Sequence, residues 1–255
     1  EAMKTLRASY FLMVRALRES VRNPGVEIQN IFIPVFFLFV TVGAIGRVSG
    51  SAFGVENYEG FQLPVGILQG AAGAAGMGGF GMVMDIERGY FDKLMLTPAP
   101  RLALVLGRLA ADGVRVMVLS VIILIVGLFM GAGMDAGVVG ALVFILVAGL
   151  FGLAYSGIGM AIALRTGSVQ AAQAGFLVFF PLLFLSPAFA PKEVFSGWLE
   201  FLATVNPVTY VLEGLRALVL QGWEWDQLAY ALGSILGLGA VTLSMTLMAL
   251  RSRTA

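Results

Sequence analysis

The run Val138-VGALVFILVAGLFGLAYSGIGMAIA-Leu164 carries no charged side chain over its whole length. A helix of about 20 residues crosses a hydrocarbon core of about 30 Å, so this stretch is long enough to span a bilayer. Working outward from it, further apolar runs lie at Ile28 to Ile45, Phe61 to Met84, Leu109 to Ala132, Ala171 to Ala188 and Leu228 to Leu250. Together they predict an all-α integral membrane protein with six transmembrane helices. Composition agrees: 59% of residues are hydrophobic and 12% charged, where soluble domains carry roughly a quarter charged. Mean hydropathy is +0.92.

No polar stretch among the 255 residues is long enough to fold separately, which predicts a single transmembrane domain over 1–255. Within it, 1–25 reads as an amphipathic helix, 85–108 as a structured cytoplasmic loop and 189–227 as an external region. The absence of cysteine and histidine excludes disulfides, thiolate chemistry, imidazole catalysis and the common histidine metal sites. No metal site is expected. The basic, amphipathic start does not match a secretory signal peptide.

An even number of spans places both termini on one side, and the basic residues then sort. Lys4, Arg7, Arg15, Arg18, Arg22, Arg88, Lys93, Arg101, Arg108, Arg165, Arg251 and Arg253 fall with the termini, while Arg47, Lys192 and Arg216 fall opposite. Lysine and arginine mark the cytoplasmic face, so a multi-pass chain with both termini cytoplasmic is expected. Arg115 is left inside the third span, three residues from Asp112 on the same helical face, where the two can pair.

On a helical wheel, Lys4, Arg7, Arg15, Arg18 and Arg22 share one face of the first segment, while Leu6, Tyr10, Met13, Leu17 and Val21 share another. That is the pattern of a helix lying in a membrane interface, anchored to anionic lipid or docked on a cytoplasmic partner. Asn23-Pro24-Gly25 turns the chain into the first span. Pro181, Pro187 and Pro191 kink or end the fifth. Beyond them Val194, Phe195, Trp198, Leu199, Phe201 and Leu202 recur at helical spacing, and Val208 to Val219 follow Asn206-Pro207; short helices dipping into the outer leaflet fit better than a loose loop.

Glycines crowd the second span at Gly66, Gly70, Gly73, Gly76, Gly78, Gly79 and Gly81, and recur as Gly127 with Gly131 and Gly233 with Gly237. In lipid they allow close helix packing, and all of them are read that way. None of the lysines, Lys4, Lys93 and Lys192, follows a glycine, so no phosphate-binding loop for ATP is present. No carboxylate pair shares a helical face inside the membrane. The chain is not expected to be an enzyme.

The stretch Asp85-Ile-Glu-Arg-Gly-Tyr-Phe-Asp-Lys-Leu-Met-Leu-Thr-Pro-Ala-Pro-Arg101 alternates charge with Tyr90, Phe91, Leu94 and Leu96. It reads as a short helix offered to a cytoplasmic protein, then a Thr97-Pro98-Ala99-Pro100 break and another amphipathic turn through Leu106.

Glu87-Arg-Gly with Leu94, Thr97-Pro98, Arg101 and Gly107-Arg108 resembles the segment after the second span of type-2 ATP-binding-cassette exporter permeases, particularly the daunorubicin-resistance branch. Leu185-Ser-Pro-Ala-Phe189, Asn206-Pro207-Val-Thr-Tyr210 and Glu213-Gly-Leu-Arg216 resemble the family's pattern after the fifth span. The resemblance covers nearly the whole chain. It implies a permease subunit of the plasma (inner) membrane that pairs with a second permease subunit, itself or a paralogue, and with nucleotide-binding ATPase subunits on separate chains. ATP and Mg would sit in those partners, with no cofactor on this chain; membrane lipids are expected contacts and nucleic acid is not. Coupling to the ATPase would fall to Glu87, Arg88, Leu94, Thr97, Pro98 and Arg101, beside an interface helix carrying Arg7, Arg15, Arg18 and Arg22. Trp198, Asn206, Pro207 and Tyr210 would belong to external re-entrant helices. Phe36, Phe176 and Phe180 are candidates for the walls of a pathway for an amphipathic drug, lipid or lipid-linked glycan moved outward. The lack of a large external domain argues against the branches that carry one. The residues alone leave two other readings, an ion-coupled secondary transporter and a membrane scaffold without transport, although internal repeats and mid-membrane charge are scarce.

Overall fold

The computed structural model describes residues 2–22, 24–97 and 100–254, and every regular element among them is helical. Asn23 of the expected turn, and Pro98 with Ala99 of the expected break, lie outside the described residues. The helices are α1 (Ala2–Val21), α2 (Pro24–Phe53), α3 (Tyr58–Glu87), α4 (Tyr90–Met95), α5 (Arg101–Met130), α6 (Gly137–Thr166), α7 (Val169–Phe184), α8 (Gly197–Val205), α9 (Pro207–Leu220) and α10 (Trp225–Thr254). A single 3-10 turn at Lys192–Val194 precedes α8.

Each apolar run of the sequence falls largely on one helix, but among the described residues only five helices, α2, α3, α5, α6 and α10, are long and apolar enough to cross a membrane. The remaining run, the fifth in chain order, folds as α7, only 16 residues long. At 1.5 Å per residue it reaches about 24 Å, short of a full hydrocarbon core. It passes through Pro181 and stops at Leu185, whose N–H bonds back to the Pro181 carbonyl at 3.0 Å. The turn expected through Leu106 is continuous with the next span, because α5 starts at Arg101 and runs 30 residues without a break.

Helix α6 is the core of the bundle, packed against α3, α5, α7, α9 and α10. Its buried side chains Phe144, Phe151 and Tyr155 share one core cluster with the buried face of α3, Phe151 stacking on Tyr155 and Tyr155 meeting Phe179 of α7 edge to face. Glycine permits the closest approach. A methyl group on Gly79 of α3 would come within 2.8 Å of the Gly159 carbonyl oxygen on α6, and one on Gly175 of α7 within 3.2 Å of the Gly159 Cα. The glycine-packing reading fails elsewhere: Gly131 is the left-handed residue that ends α5, and Gly233 and Gly237 meet nothing within 4 Å. Instead α10 is fixed to α6 by Thr242 Oγ1 donating to the Ala154 carbonyl at 2.7 Å and Thr246 Oγ1 donating to the Gly157 carbonyl at 3.0 Å.

The bundle has two distinct ends. One gathers α1, α4, the start of α5 and the end of α10, where Arg253 donates to the Leu164 carbonyl at 3.1 Å. The other gathers residues 54–57, 131–136 and the segment from Pro187 through α8 and α9. Helix α7 runs from the first end to the second, so the chain returns to the α1 end at Thr254.

Candidate functional site

At the α1 end, the last turn of α3 presents Asp85 inward, with only 4% of its surface exposed. An ionised carboxylate so placed needs cations, and two arginines supply them. Arg15 of α1 makes a two-pronged contact, Nη2 to Oδ1 at 2.8 Å and Nη1 to Oδ2 at 3.1 Å. Arg108 of α5 donates to Oδ2 from the other side and is itself buried. The Asp85 hydrogen bond pushes the Arg15 pKa above its ordinary value, against the opposing pull of burial. Arg15 therefore stays charged.

The same Arg15 guanidinium lies 3.7 Å from the centre of the Tyr90 ring, the first residue of α4. One side chain thus links the amino-terminal helix, the end of α3 and the short helix after it. Gly89 enables this geometry: its left-handed φ of +65° breaks the helix between α3 and α4, so that the chain leaves one and enters the other across Arg88 and Gly89. Helix α4 is anchored by buried Phe91, while Leu96 at its far end is 88% exposed.

One turn deeper, Asp112 and Arg115 of α5 form the expected pair, Nη1 to Oδ1 at 2.7 Å. Arg115 also donates to the Ala16 carbonyl of α1 at 3.1 Å and comes within 3.9 Å of Glu27 on α2. The stripe of α1 packed on α5 is Ser9, Leu12 and Ala16, and the bare Gly107 lets α5 approach so closely that a methyl group there would come within 2.7 Å of Leu12 Cβ and 2.8 Å of the Ser9 carbonyl oxygen. The apolar stripe read from the sequence is not the packed one, since Leu6, Tyr10 and Val21 stay exposed.

The other predicted coupling residues divide. Glu87 closes α3 and is exposed; Arg88 caps it and stands 4.0 Å from Glu19 of α1. Thr97 donates to the Leu94 carbonyl at 2.6 Å, ending α4. Arg101 opens α5 and borders a cleft with Phe91, Asp92, Met95 and Arg253. Pro98 lies outside the described residues. Of the basic face, Arg15 alone is drawn into the Asp85 cluster; Arg18 and Arg22 line a cleft beside it, and Arg7 stands 5.9 Å from the Phe11 ring. Asp85 and Arg108 were not singled out as site residues by sequence. The available signal was a carboxylate in register with buried Gly78 and Met82 on one face of α3.

At the opposite end, Arg216 of α9 is buried, its Cζ 3.5 Å from the centre of the Phe61 ring. Nε donates to the Phe61 carbonyl at 3.1 Å and Nη2 to the Pro187 carbonyl at 3.0 Å. Tyr58 donates to the Phe189 carbonyl at 3.1 Å. Asn206 caps α9 by accepting from the Val208 N–H at 3.0 Å and donates through Nδ2 to the Leu182 carbonyl, with Pro207 starting the helix. Tyr210 donates to the Thr204 carbonyl at 2.6 Å, turning α9 back on α8, while Trp198 of α8 is exposed. The pathway candidates do not converge: Phe176 and Phe180 pack edge to face on α7 at 5.1 Å, but Phe36 stacks on Phe32 along the exposed face of α2 at 5.7 Å.

Comparison with known proteins places these two ends in a recognised setting. The family model described as ABC-2 type transporter matches residues 7–220. The chain is 27% identical over 242 residues to the daunorubicin resistance ABC transporter permease protein DrrB1 of Streptomyces coeruleorubidus, covering 94% of this chain and 85% of that one. It is 24% identical over 212 residues to a probable doxorubicin resistance ABC transporter permease protein, DrrC, of Mycobacterium tuberculosis, covering 82% and 75%. It is 23% identical over 220 residues to a putative transport permease, ycf38, of Porphyra purpurea, covering 84% and 74%. With a match across both the Asp85 end and the whole of α9, this multi-pass membrane chain belongs to the ABC-2 type transporter permease family.

Proposed function

We propose that the chain is the transmembrane subunit of an ATP-driven exporter, moving an amphipathic drug, lipid or lipid-linked glycan outward across the plasma membrane. Power would come from separate nucleotide-binding subunits, and a second permease subunit would complete the pathway. The observation that carries this reading is the sharing of Arg15 between Asp85 and Tyr90. A push on α4 from a cytoplasmic ATPase meets α1, α3 and α5 through that one guanidinium.

In this reading α7 with residues 185–189 is the fifth of six spans, both termini are cytoplasmic, and α1 is an interface helix whose uncovered Leu6, Tyr10 and Val21 lie in lipid. Helices α8 and α9 are external re-entrant elements. The drug-resistance names of the bacterial relatives favour outward movement of an amphipathic cargo. Glu87 and Arg101 flank α4 and contact the partner, with the hydrolytic chemistry, ATP and Mg all on the ATPase chain.

The test is co-purification with the ATPase encoded beside it, followed by ATPase turnover in nanodiscs with candidate drugs and lipids. A stable complex stimulated by one cargo class is expected, and Glu87→Ala or Arg101→Glu should leave the protein inserted while hydrolysis no longer drives export. Unchanged export in both variants removes the coupling assignment.

A further inference from the structure

Helix α3 is buried on every side from Phe61 to Ala72, and in its last third Met77, Phe80 and Met84 are among the described residues that become half-buried. These residues, spaced seven and three to four apart, form one apolar stripe down the helix. Beside it α1 places Arg15 and Arg18, and Arg22 and Arg88 stand one residue past the ends of α1 and α3. The stripe and the arginines border a single cleft of about 650 Å³ in which four arginines face one acid, Glu19.

We propose that this cleft is a binding site for one anionic phospholipid, its phosphate held by Arg18, Arg22 and Arg88 and an acyl chain laid along Met84, Phe80 and Met77. Charge selects the head group: an excess of guanidinium suits a phosphate, which accepts paired N–H donors, and rejects a cationic amphiphile. Depth selects the tail. Met77 lies ten residues before the end of α3, about 15 Å along the helix, where a cytoplasmic protein cannot follow but a lipid chain can. A second copy of the chain centred on this cleft would set one arginine cluster against another. Arg15 is already committed to Asp85, so the bound lipid would sit against the Asp85 cluster without replacing it.

The inference rests on the proposed membrane placement of α1 but not on the ATPase, and its test reads lipid alone. Trp198, Trp223 and Trp225 all lie at the opposite end, so Phe80→Trp in the full chain adds a reporter inside the cleft over a distant background. The variant is placed in phosphatidylcholine nanodiscs containing a minority of phosphatidylglycerol, with one or the other lipid brominated on its acyl chains. Brominated phosphatidylglycerol should quench the introduced indole far beyond its share of the bilayer. Each arginine beside an anionic lipid is worth about fivefold, so Arg18→Gln with Arg22→Gln should cut that preference by on the order of 25-fold. Equal quenching by the two lipids overturns the proposal, as does no quenching by either, which would mean that protein covers the stripe. Loss of the preference on adding inorganic phosphate would assign the cleft to a free anion and overturn the lipid. Should Phe80→Trp not fold, Met84→Trp samples the same path with the same outcomes, and co-purification with the ATPase is unaffected by any of them.

Discussion

At the end that holds α1 and α4 the helices are joined charge to charge, Asp85 standing between Arg15 and Arg108, whereas at the α8 and α9 end the joining is done by donors aimed at backbone carbonyls. The carbonyl ties follow from local geometry. Leu182 and Thr204 sit in the last turns of α7 and α8, where carbonyls lose their helical partners, and Pro187 and Phe189 lie in the turn between α7 and the 3-10 segment. Asn206, Tyr210, Arg216 and Tyr58 donate to these oxygens, so this end is held by its own backbone. The charged end has carbonyl ties too, from Arg115 to Ala16 and from Arg253 to Leu164, but the Asp85 cluster adds a different kind. Its ties run between side chains on three different helices, and a guanidinium can trade one acceptor for another as those helices shift. A clamp and a joint differ in this way, and substitutions can pull them apart.

The largest expected effect is at the joint. Asp85→Ala leaves buried Arg108 without its carboxylate and frees Arg15 from α3, a loss of about 3–5 kcal/mol for a broken buried pair. Hydrogen exchange should rise throughout α1 while α8 and α9 keep their protection, and thermal stability in detergent should fall. Asp85→Leu combined with Arg108→Met should recover part of that stability, since an apolar pair carries no stranded charge, yet leave α1 loose because Arg15 is still unpaired. Protection of α1 that survives Asp85→Ala would mean the joint is not built on this cluster.

At the clamp, Arg216→Met keeps the apolar stem but leaves the Phe61 and Pro187 carbonyls without their donor and removes the ring contact. Two charge-assisted bonds and a ring contact predict a loss of about 2–4 kcal/mol, smaller than at Asp85 because no charge is left stranded. Arg216→Lys should rescue little, since a single ammonium cannot reach both carbonyls and lie flat on Phe61. Exchange should rise at α9 and at the start of α3 and stay unchanged in α1. Full stability in the lysine variant would show that charge alone, rather than the planar fork, holds this end.

The two ends were unequally legible in the sequence. Helix α6 was read to within two residues at each end, because an uncharged apolar run bounded by Gly137 and Gly167 signals both its length and its stops. The start of α5 was missed by eight residues: Arg101 and Arg108 are good helix formers but charged, and hydropathy marks the membrane-crossing part of a helix rather than its end. At the clamp, Asn206-Pro207 is a cap followed by a first-turn proline, a local rule that needs no tertiary knowledge. At the joint, nothing local says that Arg15 turns toward Asp85, seventy residues away, while Arg18 of the same basic face does not. The packed stripe of α1 was missed for a related reason, because Ser9 and Ala16 carry little hydrophobic signal and their value lies in meeting α5, Ser9 at Gly107 and Ala16 through its carbonyl to Arg115. Likewise Gly79 and Gly233 look alike in sequence, and only the helix opposite makes one of them a contact.

Asn206 gives the smallest effect and the sharpest division, since its two amide atoms do different work: Oδ1 caps α9 and Nδ2 ties that cap to the end of α7. Asn206→Ser keeps an N-cap acceptor but loses the donor to Leu182, a cost of about 1 kcal/mol. Asn206→Ala loses both, about 2 kcal/mol in all, with the added loss confined to α9. Thermal unfolding in detergent should therefore rank wild type above serine above alanine, while exchange at the last turn of α7 rises equally in both variants. If serine instead matches wild type at that turn, the bond to Leu182 holds nothing, and the link between α7 and α9 must be credited to Arg216 through Pro187 alone.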